Sequence, residues 1–334
     1  HLISAVKKDH PTAMIELLTL RSQKEIAQIL DNISNYHYID SDSINTIFQS
    51  PLYSDAFAIN QFMNILGPLV NTDWDLVVNN SNDNISSYIM SALKTNQLAG
   101  SYIANDGVAR CSDKWSIYQN YVATGLSRQT INKPTIRNHI VNLPYYSELN
   151  KIKLNSDYTT VANQNFARIR KMKNNTGIFI VGISLEAGYD GYMMELDTYS
   201  DIIEALEESN DYKAVLLLNG KEYQKEFANK LNKTFNNKLI SINLETVALP
   251  SVISNLDIII SASNDQLTIS DTMNTRCLEI RDCGGNSATP SIVNANNFVL
   301  YAKDETNIAS DALLALNEEF GTELPINVLN SCNP

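Results

Sequence analysis

The sequence predicts an α/β protein of two halves, each a largely parallel sheet covered on both faces by helices. Three observations carry this. Runs rich in Val, Ile and Leu alternate with helix-period stretches of about ten residues, the pattern of parallel strands buried on both faces. The alternation lapses once, over residues 107–175, and restarts at Ile178. The length, 334 residues, fits two domains at roughly 150 residues each.

The elements follow in order. His1–Lys8 reads as an amphipathic helix, with Leu2, Ile3 and Val6 on one side and Lys7 and Lys8 on the other. Asp9-His10-Pro11 ends it, and Ala13–Leu20 reads as a buried strand. A helix feeding a parallel strand normally has a strand ahead of it, so the first strand of this half, with its following loop, is expected to be missing. The next elements are a helix over Gln23–Leu30, a strand over Tyr36–Ile39 and a long helix over Asp55–Val70. A strand over Trp74–Val78, a helix over Ile85–Leu93 and a strand over Leu98–Ile103 complete this half. The polar stretch after it carries helical patterns over Trp115–Leu126, Ile136–Leu149 and Thr160–Lys171. Lys171-Met-Lys-Asn-Asn-Thr-Gly177 reads as the linker, giving domains 1–170 and 176–334.

In the second half, strands are expected at Ile178–Ile183, Ala214–Leu218, Leu239–Ile242, Leu256–Ile260, Cys277–Ile280 and Phe298–Tyr301. Helices are expected at Tyr199–Glu207, Glu222–Leu231, Val247–Ile253 and Ile269–Met273, with Ile202, Ile203 and Leu206 inward. The closing helix, Ala309–Leu316, is expected to return toward the N-terminal half.

Composition removes several functions. Lys and Arg number 25 against 37 Asp and Glu, a net charge of -12, so the chain repels a phosphate backbone and is not read as a nucleic-acid binder. No apolar run approaches the roughly 18 residues of a spanning helix. Neither a charged n-region nor an apolar h-region follows His1, so no signal peptide is read. Cys111, Cys277, Cys283 and Cys332 show no C-x-x-C spacing, and the four histidines form no H-x-x-x-H pair. No metal site or disulfide framework is expected, and the reading is a reducing cytoplasm.

In a doubly wound sheet, ligands bind beyond the carboxyl ends of the strands. Those ends are Gly182-Ile-Ser-Leu-Glu-Ala-Gly188, Asn219-Gly-Lys-Glu222 and Ser261-Ala-Ser-Asn-Asp-Gln-Leu-Thr268, with Asn274-Thr275 further on. Neither G-x-G-x-x-G nor a Walker motif is present, which removes the dinucleotide and P-loop readings. The chain resembles the heptosyltransferases of glycosyltransferase family 9. The opening His1–Ala13 is similar to the family's first helix, and Trp74-Asp-Leu-Val-Val78 to its "(Y/W)-D-L-V-I" strand. Gly182 with Ala187-Gly188 resembles "G-x-x-x-G-A-(S/T)", Leu217–Glu222 resembles "L-x-G-x-x-E", and Asn255-Leu-Asp257 resembles "A-x-A-D".

The resemblance implies two Rossmann-like domains facing across a cleft (the GT-B fold) and inverting transfer from a nucleotide-diphosphate sugar to a lipopolysaccharide or other glycan acceptor. An ADP-heptose-like donor substrate is implied, with no required metal and no other cofactor. The place would be cytoplasmic, with at most a peripheral contact at the inner membrane, in a bacterial cell. On the donor side it points to Ser184, Gly188, Asn219, Gly220, Glu222, Ser263, Asn264, Asp265 and Thr268. On the acceptor side it points to Asn79, Asn80, Tyr102 and Asp106, with Ser81 beside them. The general base of the family belongs to the loop before the first helix, so no catalytic residue is assigned.

The chain also departs from the family. Where the family has "D-(S/T)-G-x-x-H", the glycine position holds Asp265 and the histidine position Thr268. Tyr189–Glu195 holds no lysine. These departures keep a second reading open: a catalytically inactive GT-B protein serving as a nucleotide-binding, glycan-binding or interaction module. A two-lobe periplasmic-type binding protein is disfavoured because no export signal is read and the chain crosses between lobes once. Plainer readings stand beside the site residues as well. Glu222 suits a helix start, Ser263–Thr268 suits a capping loop, Gly188 and Gly191 suit a turn, and Asp106-Gly107 suits another. Tyr118, Tyr121, Tyr145 and Tyr146 suit core or rim packing.

Overall fold

The computed structural model describes residues 1–42, 46, 55–81, 83–123, 131, 133–144, 152–172, 177–188, 192–282, 298–302 and 305–322. Outside them lie the far ends of the helices expected to Leu126 and Leu149, most of the linker, Tyr145, Tyr146, Gly191, Cys283 and Cys332. The chain divides into two compact units. The described residues of the first lie in His1–Asn150, and those of the second in Lys151–Gly285 and Pro290–Pro334.

The first unit opens on helix α1 (Leu2–Asp9), whose last turn carries Lys7 and Lys8, cations that suit the negative end of a helix. Strands β1 (Glu16–Leu20) and β2 (Asn35–Ile39) pair in parallel, Glu16 opposite Asn35 and Leu20 opposite Ile39, with α2 (Lys24–Gln28) between them. Helix α3 (Asp55–Val70) leads to β3 (Asp73–Val78), helix α4 (Asn84–Ala92) and β4 (Lys94–Ala99), and β3 pairs with β4 in parallel. The core here gathers Ile39, Leu66, Leu69 and Ile89, with Leu18, Phe62 and Trp74 against it.

The single strand expected over Leu98–Ile103 is two. Gly100 has φ +111, and a Cβ there would stand 2.3 Å from the Asn79 carbonyl oxygen. Only glycine fits that turn, and beyond it β5 (Ser101–Ile103) pairs antiparallel with β6 (Ala109–Cys111). Helices α5 (Lys114–Ala123) and α6 (Lys133–Ile140) follow. The second is shorter than its sequence pattern, because Asn142 takes φ 57 and Pro144 follows.

The second unit begins with helix α7 (Ser156–Met172), which the expected boundary at 170 places before the linker. Arg170 ties it to this unit: its guanidinium donates to the carbonyls of Ile178 and Asn255 and to Asp257, at 2.6, 3.3 and 2.9 Å. Six parallel strands follow: β7 (Phe179–Ser184), β8 (Tyr212–Leu218), β9 (Ile240–Asn243), β10 (Ile258–Ser261), β11 (Arg276–Asp282) and β12 (Phe298–Ala302). Their order across the sheet is β12-β11-β10-β7-β8-β9. This is the doubly wound order, in which the chain runs outward one way from β7 and then restarts at β10 on its other side.

Helices α8 (Leu196–Glu208), α9 (Glu222–Thr234), α10 (Leu249–Ile253), α11 (Asn264–Thr272) and α12 (Glu305–Phe320) make the crossovers and the close. Ile202, Ile203 and Leu206 of α8 are fully buried, as their periodicity predicts. Two expectations are corrected. The run Asn264–Thr268, read as loop, is the first half of α11. Helix α12 does not leave its unit: Ile308, Ala312, Leu313 and Leu316 join the core formed with β7, β8 and α8, and the Phe320 ring lies 4.3 Å from that of Phe179.

Candidate functional site

Strands β8, β7 and β10 are neighbours and parallel, so their carboxyl ends deliver three loops to one edge. The gap between β7 and β10 is where the winding reverses, the crevice that such sheets use for ligands. Local hydrogen bonds shape each loop. The Leu185 N–H donates to the Leu217 carbonyl, and the Glu186 N–H to Ser184 Oγ at 3.2 Å. The Asn219 N–H donates to Gln224 Oε1 at 2.7 Å, and Gly220 turns the chain at φ +87. The Ser263 N–H donates to Ser261 Oγ at 3.0 Å just before α11 starts.

The loops meet at one side chain. The Glu186 carboxylate accepts from Asn219 Nδ2 and from Lys221 Nζ at 3.3 Å on Oε1. On Oε2 it accepts from Ser263 Oγ at 2.9 Å and from Gln266 Nε2 at 3.2 Å. Its side chain is 17% exposed. Beside it, burial lifts the Asp265 carboxyl above the usual carboxylate range, and the Glu186 charge adds to the lift while Lys221 opposes it. Amide, hydroxyl and ammonium groups aimed at one point at a helix start are suited to holding an anion.

The donor-side expectations fall into three groups. Asn219 and Ser263 stand in the cluster, Asp265 beside it, and Asn264 opens α11. Ser184 is buried, with its hydroxyl accepting from Glu186 and its carbonyl from the Tyr199 hydroxyl. Gly188 donates its N–H to the Tyr192 carbonyl, closing a turn, and Gly220 turns the chain between Asn219 and Lys221. Glu222 opens α9 with its side chain 78% exposed and paired with Lys225, the helix-start arrangement. Thr268 is exposed one turn along α11.

In the first unit, Asn79 follows β3 and is buried. Its Nδ2 donates to the Ser101 carbonyl and its Oδ1 accepts from the Ser81 N–H, so it joins β3 to β5. Asn80 is exposed beside it, and Tyr102 lies on β5 opposite Arg110. Asp106 shapes the β5–β6 turn by accepting from the Val108 N–H and pairing with Arg110 at 2.7 Å.

Three residues of the cluster were absent from the expected set: Glu186, Lys221 and Gln266. For Glu186 and Lys221 a signal was present in the sequence, since they carry opposite charges just past two strands that pair; for Gln266 there was none. Asp257, matched to the "A-x-A-D" pattern, is bonded to Arg170 and to the Ile180 N–H, inside the unit rather than at this edge. Among the described residues no group of three or more His, Cys, Asp or Glu is placed to hold a metal ion. Cys277 is buried, its thiol donating to the Thr275 carbonyl and held above its ordinary pKa by burial.

Solved structures resemble this architecture over most of the chain. The chain is similar to a family 9 glycosyltransferase from Veillonella parvula DSM 2008 at 12% identity and TM-score 0.65, over 93% of this chain and 83% of that one. It is similar to the E. coli ADP-heptose lps heptosyltransferase II at 12% identity and TM-score 0.63, over 95% and 92%. It is also similar to the E. coli heptosyltransferase WaaC with ADP-2-deoxy-2-fluoro heptose, at 10% identity and TM-score 0.60 over 95% of both chains. The fold is therefore the GT-B fold of these glycosyltransferases, as the sequence resemblance implied. No family model and no curated protein matches the sequence.

Proposed function

We propose that the chain is a heptosyltransferase-like glycosyltransferase that moves a sugar, with inversion, from a nucleotide-diphosphate donor of the ADP-heptose kind to a lipopolysaccharide or other glycan acceptor. The observation that carries this reading is the convergence of Asn219, Lys221, Ser263 and Gln266 at the winding reversal of the second unit. In such a transfer the acceptor oxygen bonds to the anomeric carbon as the bond to the diphosphate breaks. Negative charge then grows on the leaving group, and fixed donors stabilise it most where water is excluded. These four side chains are the donors assigned to the diphosphate, with Asn264, Asp265, Thr268 and Gly188 around them. Asn79, Asn80, Tyr102 and Asp106 are assigned to the acceptor side, and the general base to no described residue. By the same resemblance the place of action is the cytoplasm, with at most peripheral membrane contact; among the described residues no helix is long and apolar enough to cross a membrane.

A second reading, a nucleotide- or glycan-binding module without transfer, is favoured by Glu186 and Asp265, two carboxylates at the place where leaving-group charge would grow. Thermal-shift and calorimetric titration with ADP, UDP, GDP and CMP, with and without Mg²⁺, tests both. Selective stabilisation by one nucleoside diphosphate is expected, about 2.7 kcal/mol at a hundredfold excess over Kd. Binding without release of nucleoside diphosphate from the matching sugar nucleotide and acceptor would favour the module. No binding to any of the four would overturn the transferase reading.

A further inference from the structure

A carboxylate has about four lone-pair positions, and all four on Glu186 are taken. Asn219 and Lys221 donate to one oxygen, Ser263 and Gln266 to the other. Saturated in this way, Glu186 has nothing left to accept from a ligand hydroxyl. The groups around it are those that bind phosphate oxygens, and they come from beyond two strands and from the start of a nine-residue helix. A second feature of the cluster also fits a ligand. Gln266 is 1% exposed, and while its Nε2 serves Glu186, its Oε1 is buried with no hydrogen-bond partner among the described residues. A buried unpaired acceptor is costly, and a hydroxyl brought in beside an anion would satisfy it.

We propose that the Glu186 carboxylate is an internal stand-in for a phosphoryl group, occupying the donors that a nucleoside diphosphate uses and lowering its affinity until the carboxylate is displaced. This rests on the donor-site reading above. A diphosphate and Glu186 compete for the same four donors, and the Asp265 carboxylate beside them adds repulsion that Lys221 opposes. Glu186 thus sets a threshold: a ligand must present enough negative charge and enough contacts elsewhere to take the donors over, which discriminates against free phosphate.

The test is calorimetric titration of the full chain with inorganic pyrophosphate and with ADP, UDP and GDP. It compares the native protein with Glu186→Gln, Glu186→Ala and the control Glu208→Gln, which removes the same charge from the exposed end of α8. Glu186→Gln keeps the shape but replaces an acceptor oxygen by an amide group that opposes the donors. Both Glu186 variants are expected to bind pyrophosphate and one nucleoside diphosphate at least about tenfold more tightly than native and control, roughly 1.4 kcal/mol. A gain for pyrophosphate with no nucleoside diphosphate bound by any variant would keep the stand-in and sink the donor reading. Native binding of a nucleoside diphosphate, unimproved in both variants, would keep the donor reading and overturn the stand-in. No binding by any form would overturn both.

Discussion

Asp265 lies on the first turn of α11, where burial and the Glu186 charge raise its proton affinity against the pull of Lys221. The folded protein then holds this proton more tightly than the unfolded chain does. Between the ordinary carboxylate range and the raised value, the native state binds more protons, so stability falls as pH rises through that window. Once the carboxylate is ionised, the fold carries the repulsion from Glu186. Asp265→Asn is expected to raise the melting temperature at pH 7 by about 1–3 °C, a gain that should shrink to nothing on acidification below the ordinary carboxylate pKa. Scanning calorimetry across that range checks it, and a gain that persists in acid would show that packing, not charge, was responsible. Asp113 has the opposite sign. Burial alone would raise its carboxyl, but hydrogen bonds from Ser112, Ser116 and the N–H groups of Ser116 and Trp115 outweigh it and hold it low. Its contribution is present above the ordinary carboxylate pKa and lost as pH falls through the depressed value. Asp113→Ala removes the cap of α5 and should cost about 1–2 kcal/mol at pH 7, measured by urea unfolding, with the difference fading in acid.

At the scale of elements, two glycines make contrasting predictions. A Cβ at Gly182 on β7 would stand 2.5 Å from Leu256 Cδ1 and 3.2 Å from Leu217 Cδ1, side-chain atoms in the core that can shift. Gly182→Ala should therefore cost about 1–3 kcal/mol, the range for overpacking. At Gly100 the obstacle is the Asn79 backbone, and φ +111 adds strain of about 1–3 kcal/mol to that clash. Gly100→Ala should be the more damaging, and urea midpoints that rank the two the other way would contradict it. The same positions show what could be read from the sequence. The described strands of the second unit were legible to within two residues; β7, β8 and β10 stood out because a strand buried on both faces is an apolar run. The break at Gly100 was not, since the turn there is set by the close approach of the Asn79 backbone, just past β3 and distant in sequence. The start of α11 was missed because Asn264-Asp-Gln is polar and reads as loop, although its backbone is helical. The site was half legible: strand ends pointed to Asn219 and Ser263, but a family pattern built on glycine and histidine gave no reason to look at Glu186 or Gln266. Side-chain hydrogen bonds across three loops depend on sheet order, which no local pattern carries.

For the whole molecule, the two units differ in how their described cores are built. The second has a six-stranded sheet with β8 buried along its entire length, and one large cluster of side chains that reaches from α8 to α12. The first holds its strands in pairs, and its clusters are small: Ile39, Leu66, Leu69 and Ile89 in one, Ala99, Ile136 and Ile140 in another. Apolar burial is the main favourable contribution to folding, and regions with few buried contacts open at lower free energy than the rest. A single two-state transition is therefore not expected. Both tryptophans, Trp74 and Trp115, belong to the first unit, so their fluorescence follows that unit, whereas far-UV circular dichroism follows both. In urea the fluorescence midpoint should come first, with a second, later step visible only by circular dichroism. Gly100→Ala should move the fluorescence step and leave the later one in place, and Gly182→Ala should do the reverse. Coincident midpoints for both probes, moved together by either substitution, would mean that the second unit unfolds only with the first and that local core size does not set the order.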